Sequence, residues 1–322
     1  MAEKRRTFPW GKSLATGETP TEILETLYYE GKKDEEIAAL LSVMAGREVS
    51  HNAATQKRQS MGLSKSVHGV PLIAPSSAPR YDEPPKIEGD TLVMADWHVP
   101  FHDAPWCNRC IGLAQVWNVP NLVIAGDFLD MSALKSFTPH FQVREGETVA
   151  TLEGEFDYAC RIFDALAGFE KILYISGGHE LRLLRRLEWP LAVSRFARLF
   201  TDLPQLEMSA YHKCQIGNEW HVSHPKNMSV IPARVPFFLI RKHRKNVAIG
   251  HDHVWGLVQD ESGSNVAVSV GVCCDPARLD YVALQDSTRP AVCQGALVVK
   301  DGYPWLLSPR WTDFQALRSI KW

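Results

Sequence analysis

TLVMADWHVPFHDAPWCNRCIGLAQVWNVPNLVIAGDFLD, residues 91–130, is the stretch whose reading decides the fold. Residues 91–95 and 121–126 are short apolar runs rich in Val, Leu and Ile, the composition of a strand covered on both faces. Between them, residues 105–117 have the spacing of a helix. A strand, a helix and a second strand in that order need a crossover, so the strands are expected to be parallel. Each run stops at a carboxylate, Asp96 in one case and Asp127 in the other. The pattern continues with a predicted helix over 148–167 and a third run, KILYIS (171–176), which stops at Gly177-Gly178-His179. In an open α/β sheet, ligands collect at the carboxyl ends of the strands.

After about residue 205 the text turns β-rich: YHKCQIG, EWHVSHP, NVAIGH, VWGLVQ, NVAVSVGV, GALVVKDG and YPWLLS. The body, residues 91–322, is therefore expected to be α/β first and mostly antiparallel β second. Ahead of it, residues 66–90 hold Pro71, Pro75, Pro79, Pro84 and Pro85, which read as a semi-extended linker. Residues 1–65 read as three short helices. Ile23, Leu24, Leu27 and Tyr28 form one stripe, and Ile37, Leu40, Leu41 and Met44 a second. Ser50 is placed to cap a third helix that runs to Gly62. Three short helices in this space suit a helix-turn-helix.

Composition narrows the function. The 322 residues are 45% hydrophobic and 22% charged, with a mean hydropathy of −0.17, which excludes wholesale disorder and a membrane-spanning helix. A net charge of −2 excludes a globally basic nucleic-acid binder but not a local basic patch. MAEKRRTFPWGKS has no apolar core behind its charges and is not a secretory signal. Seven cysteines, an odd number, fit reduced thiols in a cytoplasmic compartment. No membrane partner is expected, and no oligomeric state is assigned.

Five polar groups follow apolar runs in order: Asp96-Trp97-His98, Asp127 with Asp130, His179-Glu180, His224, and His251-Asp252-His253. One such His is ordinarily a satisfied structural residue; five groups in succession point to a metal centre. Carboxylate and imidazole together favour a borderline divalent ion such as Mn²⁺, Zn²⁺ or Fe²⁺ over Ca²⁺.

This order, DxH, GDxxD, G(N)H(E), H, GHxH over residues 91–255, resembles the calcineurin-like metallophosphoesterase superfamily, and DWHVPFHD resembles its bacterial and phage members. The resemblance implies an α/β fold with a two-sheet β-sandwich flanked by helices. It also implies two divalent ions, with Mn²⁺ the first choice. Asp96, His98 and His253 would hold one, His224 and His251 the other, and Asp127 would bridge them. A bridging hydroxide would attack phosphorus, while His179, oriented by Asp130, protonates the leaving oxygen as general acid or stabilises charge there. Two positions depart from the pattern. Gly178 stands where the family has a metal-binding Asn, and Met131 where its protein phosphatases have Arg. The first weakens the second metal position, and the second argues against phosphomonoester capture.

In the N-terminal segment, SHNAATQKRQSMGL resembles the recognition helix of GcrA-type cell-cycle regulators. Asn52, Gln56, Lys57 and Arg58 are then the expected DNA contacts, on a helix without acidic residues. The alternative is a docking module with a solvated polar face. Other candidates have ordinary readings beside functional ones. Cys107 and Cys110 read as plain thiols. Residues 241–245, RKHRK, read as a solvated face or a receiver of nucleic-acid backbone. Asp252 reads as an imidazole-orienting or a solvated carboxylate, and Trp97 as core or a substrate contact. Arg182, Arg185 and Arg186 read as a solvated helix face or phosphate contacts.

The combined expectation is a DNA-associated, two-metal phosphodiesterase, a nuclease or end-processing enzyme. The rivals are a metal-dependent phosphatase on nucleotides or phosphoproteins, and a DNA-binding regulator with a weakened site because of Gly178.

Overall fold

The computed structural model describes residues 8–63, 66–67, 70–71, 81, 83–134, 151–186, 192–283, 286, 288 and 290–320. The chain divides into two units, Met1–Tyr81 and Asp82–Trp322.

The first unit holds α1 (Pro20–Tyr29), α2 (Asp34–Ala45) and α3 (His51–Ser60), followed by a short antiparallel pair, β1 (Ser66–Val67) and β2 (Val70–Pro71). Local chemistry sets the helix limits. Thr19 and Glu22 cap α1 reciprocally, Gly46 ends α2 in the left-handed region, and Ser50 Oγ accepts the Ala53 amide at the start of α3. The core is Ile23, Leu24, Tyr28, Ile37, Ala38, Leu41, Val49 and Ala54. Leu40 and Met44, expected on the buried stripe of α2, are 40% and 39% exposed. The buried face is rotated toward Asp34, Ile37, Ala38 and Leu41, because Asp34 turns inward to pair with Arg58 of α3.

The second unit runs β3 (Lys86–Ile87), β4 (Thr91–Met94), α4 (Ala104–Val116), β5 (Asn121–Ala125), α5 (Leu152–Leu166), β6 (Lys171–Ile175), α6 (Glu180–Arg186) and α7 (Val193–Phe196). It continues with β7 (Leu206–Ser209), β8 (Lys213–Ile216), β9 (Trp220–Ser223), α8 (Arg234–His243), β10 (Asn246–Ile249), β11 (Trp255–Gln259) and β12 (Val266–Val270). Last come α9 (Asp280–Ala283), β13 (Ala296–Lys300), β14 (Tyr303–Leu307) and α10 (Phe314–Arg318). The expected parallel core is present as β4, β5, β6 and β7 in register, each step parallel. The expected helix over 148–167 begins at Leu152 with Thr151 as its cap, and its first expected residues lie outside the described ones.

Two six-stranded sheets result, ordered β14-β13-β4-β5-β6-β7 and β11-β12-β10-β9-β8-β3. Val93, Val123, Leu173 and Leu297 of the first pack on Val222, Ala248 and Val268 of the second. The other face of the first sheet, with Leu92, Leu122, Ile124 and Ile172, is covered by Trp106 and Leu113 of α4 and Phe163 of α5. On the second sheet, Ile240 of α8 packs against Val247, Ile249 and Ala267.

The structure qualifies one expectation and departs from two. Most pairs within the second half are antiparallel, β8 with β9, β11 with β12 and β13 with β14, but β10 is parallel to both β9 and β12. The cause is α8, a crossover between β9 and β10 carried by a text whose Pro236 and basic end mask its helical stripe. Next, β13 and β14 join the first sheet, with β13 antiparallel to β4. Finally, Lys86–Ile87 lie within the expected linker yet pair with β8, and Asp90 binds Lys300 Nζ at 2.7 Å. A proline pair fixes the backbone ahead of a strand without excluding the strand itself.

Candidate metal centre

The loops after β4, β5 and β6 of the first sheet meet the loops after β9 and β10 of the second. Apolar strands hold the two sheets in contact, so the first polar residue past each strand end falls into one space. The backbone there is strained. Asp96 (φ 52°), His98 (47°), Asp127 (48°), His251 (77°) and His253 (57°) all sit in the left-handed region. Non-glycine residues held this way cost on the order of 1–3 kcal/mol each, and such strain concentrates at functional sites. Close approach also demands glycine: a Cβ at Gly250 would lie 2.8 Å from Asp96 Oδ2, and one at Gly177 would overlap Asp127 Oδ1.

Donor atoms gather in three trios, each within 4.8 Å: Asp96, His98 and His253; Asp127, His224 and His251; and His98, Asp130 and His179. In the first, Asp96 Oδ1 is 3.2 Å from His253 Nε2 and 4.0 Å from His98 Nε2, and the two imidazole Nε2 atoms are 3.3 Å apart. In the second, His224 Nε2 is 3.2 Å from Asp127 Oδ2. The His224 Nδ1 is 2.9 Å from the Ala125 carbonyl, which fixes the ring. The His251 amide donates to Asp96 Oδ2 at 2.8 Å, joining the two trios through the backbone.

These residues suit a cation. Asp96 Oδ1 and His224 Nε2 are buried and meet only other members of the trios, His253 Nε2 and Asp127 Oδ2, each at 3.2 Å and without well-formed hydrogen-bond geometry. Buried polar atoms whose hydrogen bonds are poorly formed carry part of a desolvation cost of about 1–3 kcal/mol, which coordination removes. The field is negative enough to hold protons. Burial opposes the charge on His224, yet Asp127 outweighs it and raises the pKa to about 10. Burial likewise opposes ionisation of Asp127, but His224 and His179 hold its carboxyl well below the usual range.

The pairing of Asp130 with His179 expected from the sequence is shared with a third residue. Asp130 Oδ1 is 3.0 Å from His98 Nδ1 and 3.5 Å from His179 Nδ1, so the closer of the two is an imidazole of the first trio. The His98 and His179 rings lie edge to face at 4.7 Å and share this carboxylate. Ser132 Oγ donates to the other carboxylate oxygen. His179 Nε2 faces Arg182 Nη2 at 2.8 Å and therefore accepts, which leaves the ring proton on Nδ1. Burial, then the His98 and Arg182 charges, lower its pKa to about 4 against Asp127 and Asp130.

Two glutamates carry the site without entering it. The Glu180 carboxylate is wholly buried and accepts the amides of Phe128 (2.6 Å), Gly177 (2.8 Å), Asp127 (3.3 Å) and Leu129 (3.4 Å), with the Tyr174 hydroxyl at 2.7 Å. Glu155 of α5, also buried, accepts the amides of Met131 and Ser132. Together they clamp the loop that presents Asp127 and Asp130. The sequence offered only the place of Glu180 next to His179, and nothing for Glu155.

Gly178 has nothing within 4 Å of a built Cβ. Asp252 is neither solvated nor on an imidazole; it is buried and accepts Ser269 Oγ at 2.6 Å. Trp97 is buried and packs on Phe128 at 5.5 Å. All seven cysteines are free thiols, with Cys107 and Cys110 buried. In the first unit, Asn52 and Gln56 are exposed and Lys57 is half-buried, its Nζ 5.9 Å from the Trp10 ring centroid. Arg58 does not face a ligand. It is 8% exposed, with Nε and Nη2 on the Asp34 carboxylate at 2.8 and 3.0 Å.

No family model and no curated protein matches the chain. Solved structures similar to it include the following two. Yfce, a phosphoesterase from E. coli, has 14% identity and a TM-score of 0.35 over 66% of this chain and 88% of its own. Nuclease MPE of Pseudomonas putida has 16% identity and a TM-score of 0.25 over 67% of this chain and 87% of its own. Neither likeness assigns an activity to the chain. Among the described residues, no helix is long and apolar enough to cross a membrane.

Proposed function

We propose that this chain is a metal-dependent phosphodiesterase acting on nucleic acid, with the N-terminal unit as its DNA-binding part. One observation carries the catalytic half: two Asp/His trios adjoin at facing strand ends, their buried donor atoms turned toward one another within 4.8 Å in each trio. Asp96, His98 and His253 would hold one ion, His224 and His251 the other, and Asp127 both; Mn²⁺ is the first choice. Bound there, two divalent ions supply Lewis acidity toward phosphoryl oxygens and lower the pKa of water. The protein's own groups do the rest. Asp130 fixes the His98 ring, Glu180 and Glu155 hold the Asp127–Asp130 loop rigid, and Arg182, held on His179 Nε2, places positive charge beside the leaving oxygen. The DNA half is supported by the exposed Asn52 and Gln56 on α3 with Lys57 beside them, a helix without acidic side chains.

The test is hydrolysis of bis(p-nitrophenyl) phosphate, p-nitrophenyl phosphate and labelled single- and double-stranded DNA by the full chain, with Mn²⁺ and with EDTA. Metal-dependent cleavage of the diesters, abolished in Asp127→Asn, is expected. Cleavage of the monoester alone would favour a phosphatase. No turnover with either ester under Mn²⁺, Zn²⁺ or Fe²⁺ would overturn the enzymatic reading.

A further inference from the structure

The outer face of the second sheet gathers cations that carboxylates do not neutralise. In the β8–β9 register Gln215 faces His221 and Lys213 faces Ser223. The last turn of α8 lays the His243 ring flat on His221, with centroids 3.8 Å apart at 15°. Lys245 Nζ reaches Gln215 Oε1 at 2.7 Å, next to this pair. Lys213 alternates with buried Cys214 and so lies on the same face as Gln215, and Lys242 stands next to His243 in the last turn of α8, so the three lysines surround the stack. Among the described residues none of these lysines forms an ion pair, although the chain has 37 acidic residues and a net charge of −2. Like charges kept together without counter-charges raise a local positive potential, at a cost in self-repulsion that an anionic ligand removes.

The position of this patch matters. His221 precedes His224 by three residues on the same strand line, about 10 Å at roughly 3.3 Å per residue. Lys213 lies opposite Ser223, the residue before His224, and the His224 amide donates to the His212 carbonyl at 2.8 Å. The cations therefore begin on the outer face at the end of β9 that leads into His224, and run away from that end along β8 and β9. A single phosphate occupies one point; a run of this length fits a repeating anion.

We propose that Lys213, Lys242 and Lys245, around the stacked His221–His243 pair, form a track for the sugar-phosphate backbone of a nucleic-acid strand leaving the metal centre. This rests on the phosphodiesterase reading for its substrate and adds where that substrate lies. Cationic grooves that follow the backbone are how strands are held without regard to sequence, and their binding weakens as salt rises.

The experiment uses the full chain in EDTA and a fluorescein-labelled 12-nucleotide single strand, with Kd read by anisotropy over a salt series. The triple variant K213Q/K242Q/K245Q is expected to raise Kd at least tenfold at low salt. It should also reduce the slope of log K against log salt by about 2, at about 0.7 for each phosphate no longer neutralised. K213R/K242R/K245R, which keeps the charges, is expected to bind as the unaltered chain does. If the triple Gln variant shows an altered circular dichroism spectrum, the exposed Lys242→Glu alone decides. An unchanged Kd and slope in the folded variant overturns the track. Hydrolysis of bis(p-nitrophenyl) phosphate by the unaltered chain is read separately: its absence sinks the phosphodiesterase reading, whereas the binding series alone decides the track.

Discussion

Two adjacent glycines differ in what they permit. At Gly177 a side chain would overlap the Asp127 carboxylate; at Gly178 it would meet open space, and the backbone there is not left-handed. Gly178→Asn is thus sterically free and would add an amide oxygen beside His179. It is expected to raise kcat/KM for a diester by about 10²–10³, the usual worth of one electrostatic donor in a transition state, or to tighten the second metal. Equal turnover and equal metal content in both forms would show that another group already fills this role. A second residue-scale expectation concerns acid. His221 titrates near 3 in the fold because it is buried and faces His243, Lys213, Lys245 and Lys242. Its ordinary pKa is about 6.5, so between these values the unfolded chain binds a proton that the native chain refuses. Stability therefore falls as pH drops through that window, by up to about 1.4 kcal/mol per pH unit. Urea denaturation at pH 7.5 and 5 should show a smaller acid loss for His221→Gln than for the unaltered chain, and an equal loss would refute the assignment.

At the level of elements, α2 and α3 are joined by a buried ion pair whose partners, Asp34 and Arg58, have side-chain exposures of 6% and 10%. Removing one partner of such a pair leaves a buried charge and costs about 3–5 kcal/mol. Arg58→Ala is expected to melt the helical unit and so abolish DNA binding, visible as lost helical circular dichroism. Lys57→Ala should weaken binding with the helices intact. Retained helicity in Arg58→Ala would contradict the structural role. This pair also shows why sequence reading stops where it does. Arg58 sits among exposed polar residues of α3, and only the packing of α2 reveals its carboxylate, 24 residues away in sequence. Asp96, His98, Asp127, His224, His251 and His253 were legible because apolar runs end at them, and termination of a strand is a local property. Strand direction in the second sheet was not, since short buried runs look alike whether parallel or antiparallel. Glu180 and Glu155 escaped for a related reason: their partners are backbone amides, which leave no mark in the text.

Across the whole second unit, the candidate ligands come from both sheets, with Asp96, His98 and Asp127 past the strands of one and His224, His251 and His253 past those of the other. A bound ion would then link the sheets as well as serve chemistry. Ligand bound to the native state only adds about 2.7 kcal/mol at a hundredfold excess over Kd, and each kcal/mol moves Tm by about 2–4 °C at this domain size. EDTA is expected to lower the melting temperature by roughly 5–10 °C, with recovery on adding Mn²⁺; no shift would mean that the site holds no ion with useful affinity.

The same division between sheets sets a timetable. Chains are synthesised at roughly 5–20 residues per second, so Asp96, His98 and Asp127 leave the ribosome many seconds before His224, His251 and His253. A nascent chain carries two carboxylates with most of their imidazole partners still unmade. Loading of a metal at this centre would on these grounds be a late event in synthesis, and a chain truncated before β10 would have no means of completing it. Retention of an ion there would thus require that translation had run past residue 253.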